Sequence, residues 1–188
     1  KSNNMRRFVI PVMAFSILIL SGCNGKKEKA PTDNSTETTI VADTTANDSI
    51  VNKFTDFTMN DTEGNPVAII DEIAKHKITI VDFWASWCGP CRAEMPSLVK
   101  LYAEEKDNGL GIVGVSLDND LSSWERAIEK DNITWLQVSD LQGWENAAAR
   151  MYEVNSIPHT ILVNANGEIV AEGLRGEELA EFVKNYLE

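Results

Sequence analysis

The sequence predicts an α/β domain over residues 53–188: a mixed central sheet flanked by helices and led by a β-hairpin. Three observations carry that expectation. Short apolar, β-branched runs alternate with longer segments whose apolar residues fall at helical spacing. Strands joined by such helical crossovers form a parallel core. Finally, Asn166-Gly167 lies between two further apolar runs, a strong hairpin signal that adds an antiparallel pair near the C-terminus.

Phe54–Met59 and Val67–Ile70 flank the turn-rich stretch Asp61–Pro66 and are expected to form the leading hairpin. Ile78–Trp84 is a β-branched run suited to a buried central strand. A helix is expected from Cys91 to about Asp107, with Pro96 removing one of its hydrogen bonds. Gly111–Leu117 reads as a second buried strand. Ser122 or Ser123 is a candidate cap for a helix running to about Lys130, with Trp124, Ala127 and Ile128 on one face. A short strand follows at Thr134–Val138, then a helix at Trp144–Tyr152. Thr160–Val163 and Glu168–Glu172 form the last hairpin, and Glu177–Leu187 closes the chain as an amphipathic helix.

Charge is unevenly spread along the 188 residues. Residues 1–30 hold six Lys/Arg and one Glu, leaving 11 basic and 28 acidic residues in the rest, a net charge of −17. A globular part this acidic repels phosphate backbones, which excludes nucleic acid as a partner class. Its plain reading is a solvated acidic surface.

The N-terminus reads as an address. Arg6 and Arg7 precede an apolar run of 13 residues, Phe8–Leu20, and a small-residue site follows. That run is short of the ~20 residues of a membrane span, and the arrangement is that of a secretory signal. Residues 1–22 are assigned to it, with Lys1–Asn4 ahead of the expected start at Met5. Leu20-Ser21-Gly22-Cys23 resembles the lipobox of bacterial lipoproteins. The resemblance implies cleavage before Cys23 and acylation of that residue, hence a stable membrane anchor on the extracytoplasmic side. Residues 23–52 then form the lipidated cysteine and a flexible tether, being polar and without apolar periodicity.

Chemistry concentrates at Trp87-Cys88-Gly89-Pro90-Cys91. A thiolate is the nucleophile of disulfide exchange, and the head of a helix, where Cys88 falls, favours an anion. Two intervening residues keep Cys91 within disulfide reach. Pro90 presets the first helical turn, and Gly89 puts no side chain between Cys88 and an incoming backbone. The expected cycle is attack by Cys88 on a substrate disulfide, followed by resolution through Cys91. No cofactor beyond the cysteine pair and no metal is called for. Half of a four-cysteine zinc site is missing, although Cys88, Cys91 and His159 leave a three-ligand copper or zinc site open. His76, between Lys75 and Lys77, reads as surface.

The stretch Val81-Asp82-Phe83-Trp84-Ala85-Ser86-Trp87-Cys88-Gly89-Pro90-Cys91 resembles the active-site region of thioredoxin. Its surroundings resemble more specifically the membrane-associated TlpA/ResA-like thiol–disulfide oxidoreductases, over residues 54–188. The resemblance implies a thioredoxin fold with two additions, the hairpin at 54–70 and a strand–helix insertion around Gly111–Lys130. It also implies that Ile157-Pro158 is the cis-proline loop facing the disulfide and pairing with substrate backbone. Asp82 matches the buried acid that helps proton transfer to the resolving cysteine. Glu94 and Pro96 fit the pattern after the second cysteine. From the residues alone, Pro158 is a loop proline, Asp82 is as readily a structural acid, and Glu94 reads as an exposed helix residue. Trp87 is the better candidate for substrate contact, and Trp84 suits the core.

The resemblance further implies a membrane thiol donor of electrons and disulfide-containing envelope proteins, such as apocytochromes, as acceptors. Two rivals are weighed against it. A peroxiredoxin carries Pro and Thr/Ser seven and three positions before its nucleophile, where this chain has Val81 and Ala85. A thioredoxin-fold copper chaperone carries C-x-x-x-C and a distant histidine; here the spacing is two residues, with His159 as the available histidine.

Overall fold

A computed structural model of the chain describes residues 52–188. The signal segment, Cys23 and the tether lie outside the described residues.

Seven strands form one sheet in the order β2-β1-β5-β4-β3-β6-β7. Its centre is β3 (Ile78–Trp84), whose seven residues are all buried, as an apolar run covered on both faces should be. On one side β3 pairs in parallel with β4 (Leu110–Ser116), equally buried, and β4 pairs in parallel with β5 (Leu136–Ser139). On the other side β6 (His159–Asn164) runs antiparallel, followed by β7 (Ile169–Glu172). Asn166 and Gly167 lie in the connecting turn; Gly167 has φ +72°, the left-handed region that favours glycine.

The leading hairpin forms, but with shifted bounds. β1 (Thr58–Asp61) pairs with β2 (Pro66–Ala68) and, across its other edge, with β5. Phe54 and Phe57 are not strand residues; they pack on Tyr152, whose hydroxyl donates to the Thr55 carbonyl at 2.7 Å. Ile69 and Ile70, expected to end the second strand, instead begin a short helix, α1 (Ile69–Ile73). Ile69 and Ile73 lie one turn apart and are fully buried, and Asp56 accepts the Ile70 N–H at 2.9 Å. A short apolar run does not distinguish strand from helix by periodicity, and this one goes to the helix.

Helix α2 (Gly89–Glu105) runs through Pro96 and ends in a 3₁₀ turn at Lys106–Asn108. Helix α3 (Leu121–Lys130) is capped not by Ser122 or Ser123 but by Asp120, which accepts the Ser123 N–H at 2.8 Å. The single helix expected at 144–152 is two pieces, a 3₁₀ turn at Gly143–Glu145 and α4 (Ala147–Met151). Asn146, with φ −49° and ψ 127°, separates them in a non-helical conformation. Its side chain caps α4 by accepting the Ala149 N–H at 3.0 Å and donates to Asp140 at 2.9 Å. Helix α5 (Gly176–Leu187) closes the chain against α2.

Two glycines of β4 mark close approaches. A Cβ on Gly111 would meet the ring of His76 at 2.3 Å, so His76 is half-buried against the sheet, contrary to the surface position expected of it. A Cβ on Gly114 would meet the Gln137 amide at 2.2 Å, and that amide oxygen accepts the Trp84 indole N–H at 2.9 Å. Trp84 is thus a core residue held in orientation by its neighbour on β5.

Candidate active site

The site sits where β3 and β4 end, at the carboxyl edge of the parallel strands. After Trp84 the chain turns once, with the Cys88 N–H donating to the Ala85 carbonyl at 3.0 Å, and enters α2. Cys88 is the N-cap of that helix. Its Sγ accepts the Cys91 N–H at 3.2 Å, and its carbonyl accepts the Arg92 N–H at 3.0 Å. A sulfur thus takes the place of the Ser or Asp oxygen that usually satisfies a free N–H at a helix start. Pro90 lies in the first turn, where its missing N–H costs nothing. A Cβ on Gly89 would meet nothing within 4 Å beyond its chain neighbours, so the space beside Gly89 is open.

Cys88 and Cys91 are joined as a disulfide with Cα atoms 5.3 Å apart. Cys91 lies deeper, 2% exposed against 5% for Cys88. Opposite Cys88 runs the loop that contains the cis Ile157–Pro158 bond, and the Ile157 carbonyl oxygen is 3.9 Å from the Cys88 Sγ.

Beneath the pair, Asp82 opens into a cavity of about 50 Å³ bounded by Glu94, Met95, Pro158, Thr160 and Leu179. Glu94 and Met95 stand three and four residues after Cys91, on the same helix face. Burial pushes the Asp82 carboxyl up to about 7; the Glu94 charge pushes it the same way, and Arg175 opposes both. Glu94 is not the free exposed residue expected. It sits at the mouth of this cavity and accepts the Arg175 Nε–H at 2.8 Å.

The loop before Cys88 is held by a second carboxylate. Asp118, fully buried just after β4, accepts the Ser86 N–H at 3.0 Å, the Ser86 hydroxyl at 2.5 Å and the Ser116 hydroxyl at 2.6 Å. Arg92 donates to the Ser86 carbonyl at 3.1 Å while paired with Asp131, so the loop is fastened from both sides. Trp87, at its tip, is 53% exposed and lies beside Trp144, 47% exposed, with ring centroids 6.1 Å apart.

Cys88, Cys91, Asp82, Ile157, Pro158, Trp87, Gly89, Pro90 and Glu94 are therefore brought to one place. His159 is not among them. Thr160 shares the cavity with Asp82, so its neighbour His159 points to the other face of the sheet, where its ring lies 6.2 Å from Phe83. Burial lowers its pKa. No group of three His, Cys, Asp or Glu placed to hold a metal occurs among the described residues, and the copper reading loses its third ligand. Val81 and Ala85, at the positions where a peroxiredoxin carries Pro and Thr/Ser, are fully buried apolar residues. Arg175, Asp118 and Trp144 were not marked by the sequence. The one local signal was Asp118, an acid directly after a run of apolar and small residues.

A Redoxin family model matches residues 50–186. The thiol–disulfide oxidoreductase ResA of Geobacillus kaustophilus is 31% identical over 133 residues, 71% of this chain and 73% of that protein. ResA of Oceanobacillus iheyensis is 35% identical over 111 residues, 59% of this chain; the match spans little more than half, 56%, of that relative's length. Among solved structures, the thioredoxin domain of a thiol–disulfide oxidoreductase from Bacteroides vulgatus superposes with a TM-score of 0.66 at 38% identity, covering 72% of this chain and 96% of that one. A thiol–disulfide oxidoreductase from Bacteroides fragilis gives 0.66 at 32%, covering 71% and 98%.

Proposed function

The chain belongs to the Redoxin family and is a thiol–disulfide oxidoreductase, and from that premise we propose that it is a dithiol reductase of envelope proteins, held at a bacterial membrane by lipid on Cys23. The observation that carries the proposal is the position of Cys88. It caps α2 directly before Gly89, beside which the space is open, and lies opposite the Ile157–Pro158 loop.

In the reduced protein the Cys88 thiolate, favoured by the Cys91 N–H and the helix N-terminus, attacks one sulfur of a substrate disulfide. A Cys88–substrate bond forms, the substrate bond breaks, and the departing substrate thiolate takes up a proton. Cys91 then loses its proton and attacks the Cys88 Sγ, releasing the second substrate thiol. The substrate gains two electrons and two protons, and the protein is left as the Cys88–Cys91 disulfide. Asp82, on β3 with its carboxyl pushed up to about 7, opens into the cavity lined by Glu94 and Met95, one turn along α2 from Cys91, and is suited to receive the Cys91 proton. The Ile157 and Pro158 backbone aligns the substrate chain, while Trp87, Gly89 and Pro90 form the surface it meets. The cysteine pair is itself the redox group, without a bound cofactor.

A reductase working outside the cytoplasm draws electrons from a membrane thiol carrier. Its acceptors are disulfide-bearing envelope proteins, apocytochromes being one such class; the net acidic surface leaves nucleic acid aside. The reduction potential of the pair, titrated in thiol buffers and followed by tryptophan fluorescence, tests the direction. A value at or below about −250 mV supports a reductase, and one above about −180 mV makes the protein an oxidant or isomerase. Replacing Cys23 with Ser should release the chain from the membrane fraction; retention would contradict the lipid anchor.

A further inference from the structure

Large apolar side chains rarely stand exposed in adjacent pairs without a partner, and the pair Trp87–Trp144 stands beside the reactive sulfur. Both indoles are positioned through one buried residue. The Asp118 carboxylate holds Ser86, next to Trp87, and the Asp118 carbonyl accepts the N–H of Gly143, next to Trp144, at 3.3 Å. The break at Asn146 matters here, because it keeps Trp144 on a 3₁₀ turn rather than in α4. From Trp144 a shallow groove runs past Ala149, Glu153 and Val154 to Asn155, two residues before Ile157, whose carbonyl faces Cys88. The groove thus borders Trp144 at one end and the segment leading to the Ile157–Pro158 loop at the other.

We propose that Trp144 is a specificity-determining residue which, with Trp87, docks an aromatic or long aliphatic side chain lying within about three residues of the attacked cysteine in a protein substrate. Three extended residues span about 10 Å, which sets the reach of that side chain from the attacked cysteine. Tryptophan is the residue type most often found to anchor a binding surface, and two indoles offer face and edge to a third apolar group. The polar rim supplies a bias of sign. Glu145 and Arg150 neutralise each other at 2.7 Å, and Glu153 adds a negative charge, so an acidic flank on the substrate is disfavoured. The proposal rests on the oxidoreductase reading above and adds the kind of sequence that the site selects.

The test uses the pre-reduced full chain and two synthetic peptides with an internal disulfide, one with Leu and one with Ser two positions from the attacked cysteine. Hydroxyethyl disulfide, which has no flanking side chain, is the third substrate. Second-order rate constants are measured for the wild type, Trp144→Ala, Trp144→Phe and Cys88→Ser. The expected result is a Leu-to-Ser rate ratio that falls about tenfold in Trp144→Ala and recovers in Trp144→Phe, the size of an anchoring contact. A ratio unchanged in Trp144→Ala, or lost equally in Trp144→Phe, overturns the docking role while leaving the oxidoreductase reading in place. Turnover of hydroxyethyl disulfide that survives Cys88→Ser overturns both.

Discussion

The backbone N–H of Cys91 donates to the Sγ of Cys88 across 3.2 Å, so the reactive sulfur is also the cap of the helix that carries its partner. Three residues set the two cysteines apart in role. Cys88 has a backbone N–H donor and lies against the Ile157 carbonyl, and Cys91 lies deeper, 2% exposed against 5%. Limiting iodoacetamide at pH 7, applied to the reduced protein and read by mass spectrometry, should label Cys88 at least about tenfold faster than Cys91. Equal labelling would mean that the helix start does not activate Cys88.

Asp82 gives the fold a pH dependence of its own. In the folded protein it keeps its proton up to about pH 7, while the unfolded chain releases it near 3.8. Between those values the folded state binds more protons, so the contribution of Asp82 to stability falls as pH rises from 4 to 7 and is flat above. The full difference is on the order of 4 kcal/mol. Asp82→Asn, neutral throughout, should gain stability over the wild type as pH rises through this window, by urea denaturation of the oxidised protein. A constant difference between the two would contradict the protonated Asp82.

Arg175 works against that burial. Its guanidinium pairs with Glu94 at the cavity mouth and lowers the proton affinity of Asp82. In Arg175→Gln the window over which Asp82 loses its proton should move to higher pH, read from the same denaturation series. A shift to lower pH would contradict the charge arrangement described.

Asp118 carries three hydrogen bonds at the base of the Cys88 loop. Asp118→Ala leaves the Ser86 N–H and two hydroxyls to find other partners inside the protein. A loss of about 2–4 kcal/mol in stability is expected, together with a change in the fluorescence of Trp87 and Trp144. Unchanged fluorescence would mean that Asp118 supports the fold but not the indole pair.

How far the sequence was legible depended on how local each signal was. Ile78–Trp84 was found to the residue because an apolar β-branched run bounded by polar residues has one good interpretation. The strand-to-helix junction at Cys88 is legible from Gly-Pro within the motif, although the helix begins at Gly89, two residues before the expected Cys91. Ile69 and Ile70 read as strand because the unbroken apolar run Val67–Ile70 shows neither the alternation of a strand nor the spacing of a helix. The helix at 144–152 was broken by Asn146, whose role as a cap depends on Asp140 and on burial, neither visible in a helical window. Arg175 lies 81 residues from Glu94, and Asp118 lies 32 from Ser86, so these partners emerge only when the sheet brings strand ends together. Trp144 reads in the sequence as the first residue of the helix at 144–152, whereas the 3₁₀ turn places it beside Trp87.

The division of labour between the two sulfurs is tested most directly by trapping. In a Cys23→Ser background, Cys91→Ser and Cys88→Ser variants are each mixed, after reduction, with a disulfide-bearing protein and resolved without reductant. The account predicts a dithiothreitol-sensitive adduct that accumulates with Cys91→Ser, where Cys88 attacks and nothing resolves it, and not with Cys88→Ser. An adduct that forms only with Cys88→Ser, or with neither variant, would contradict it.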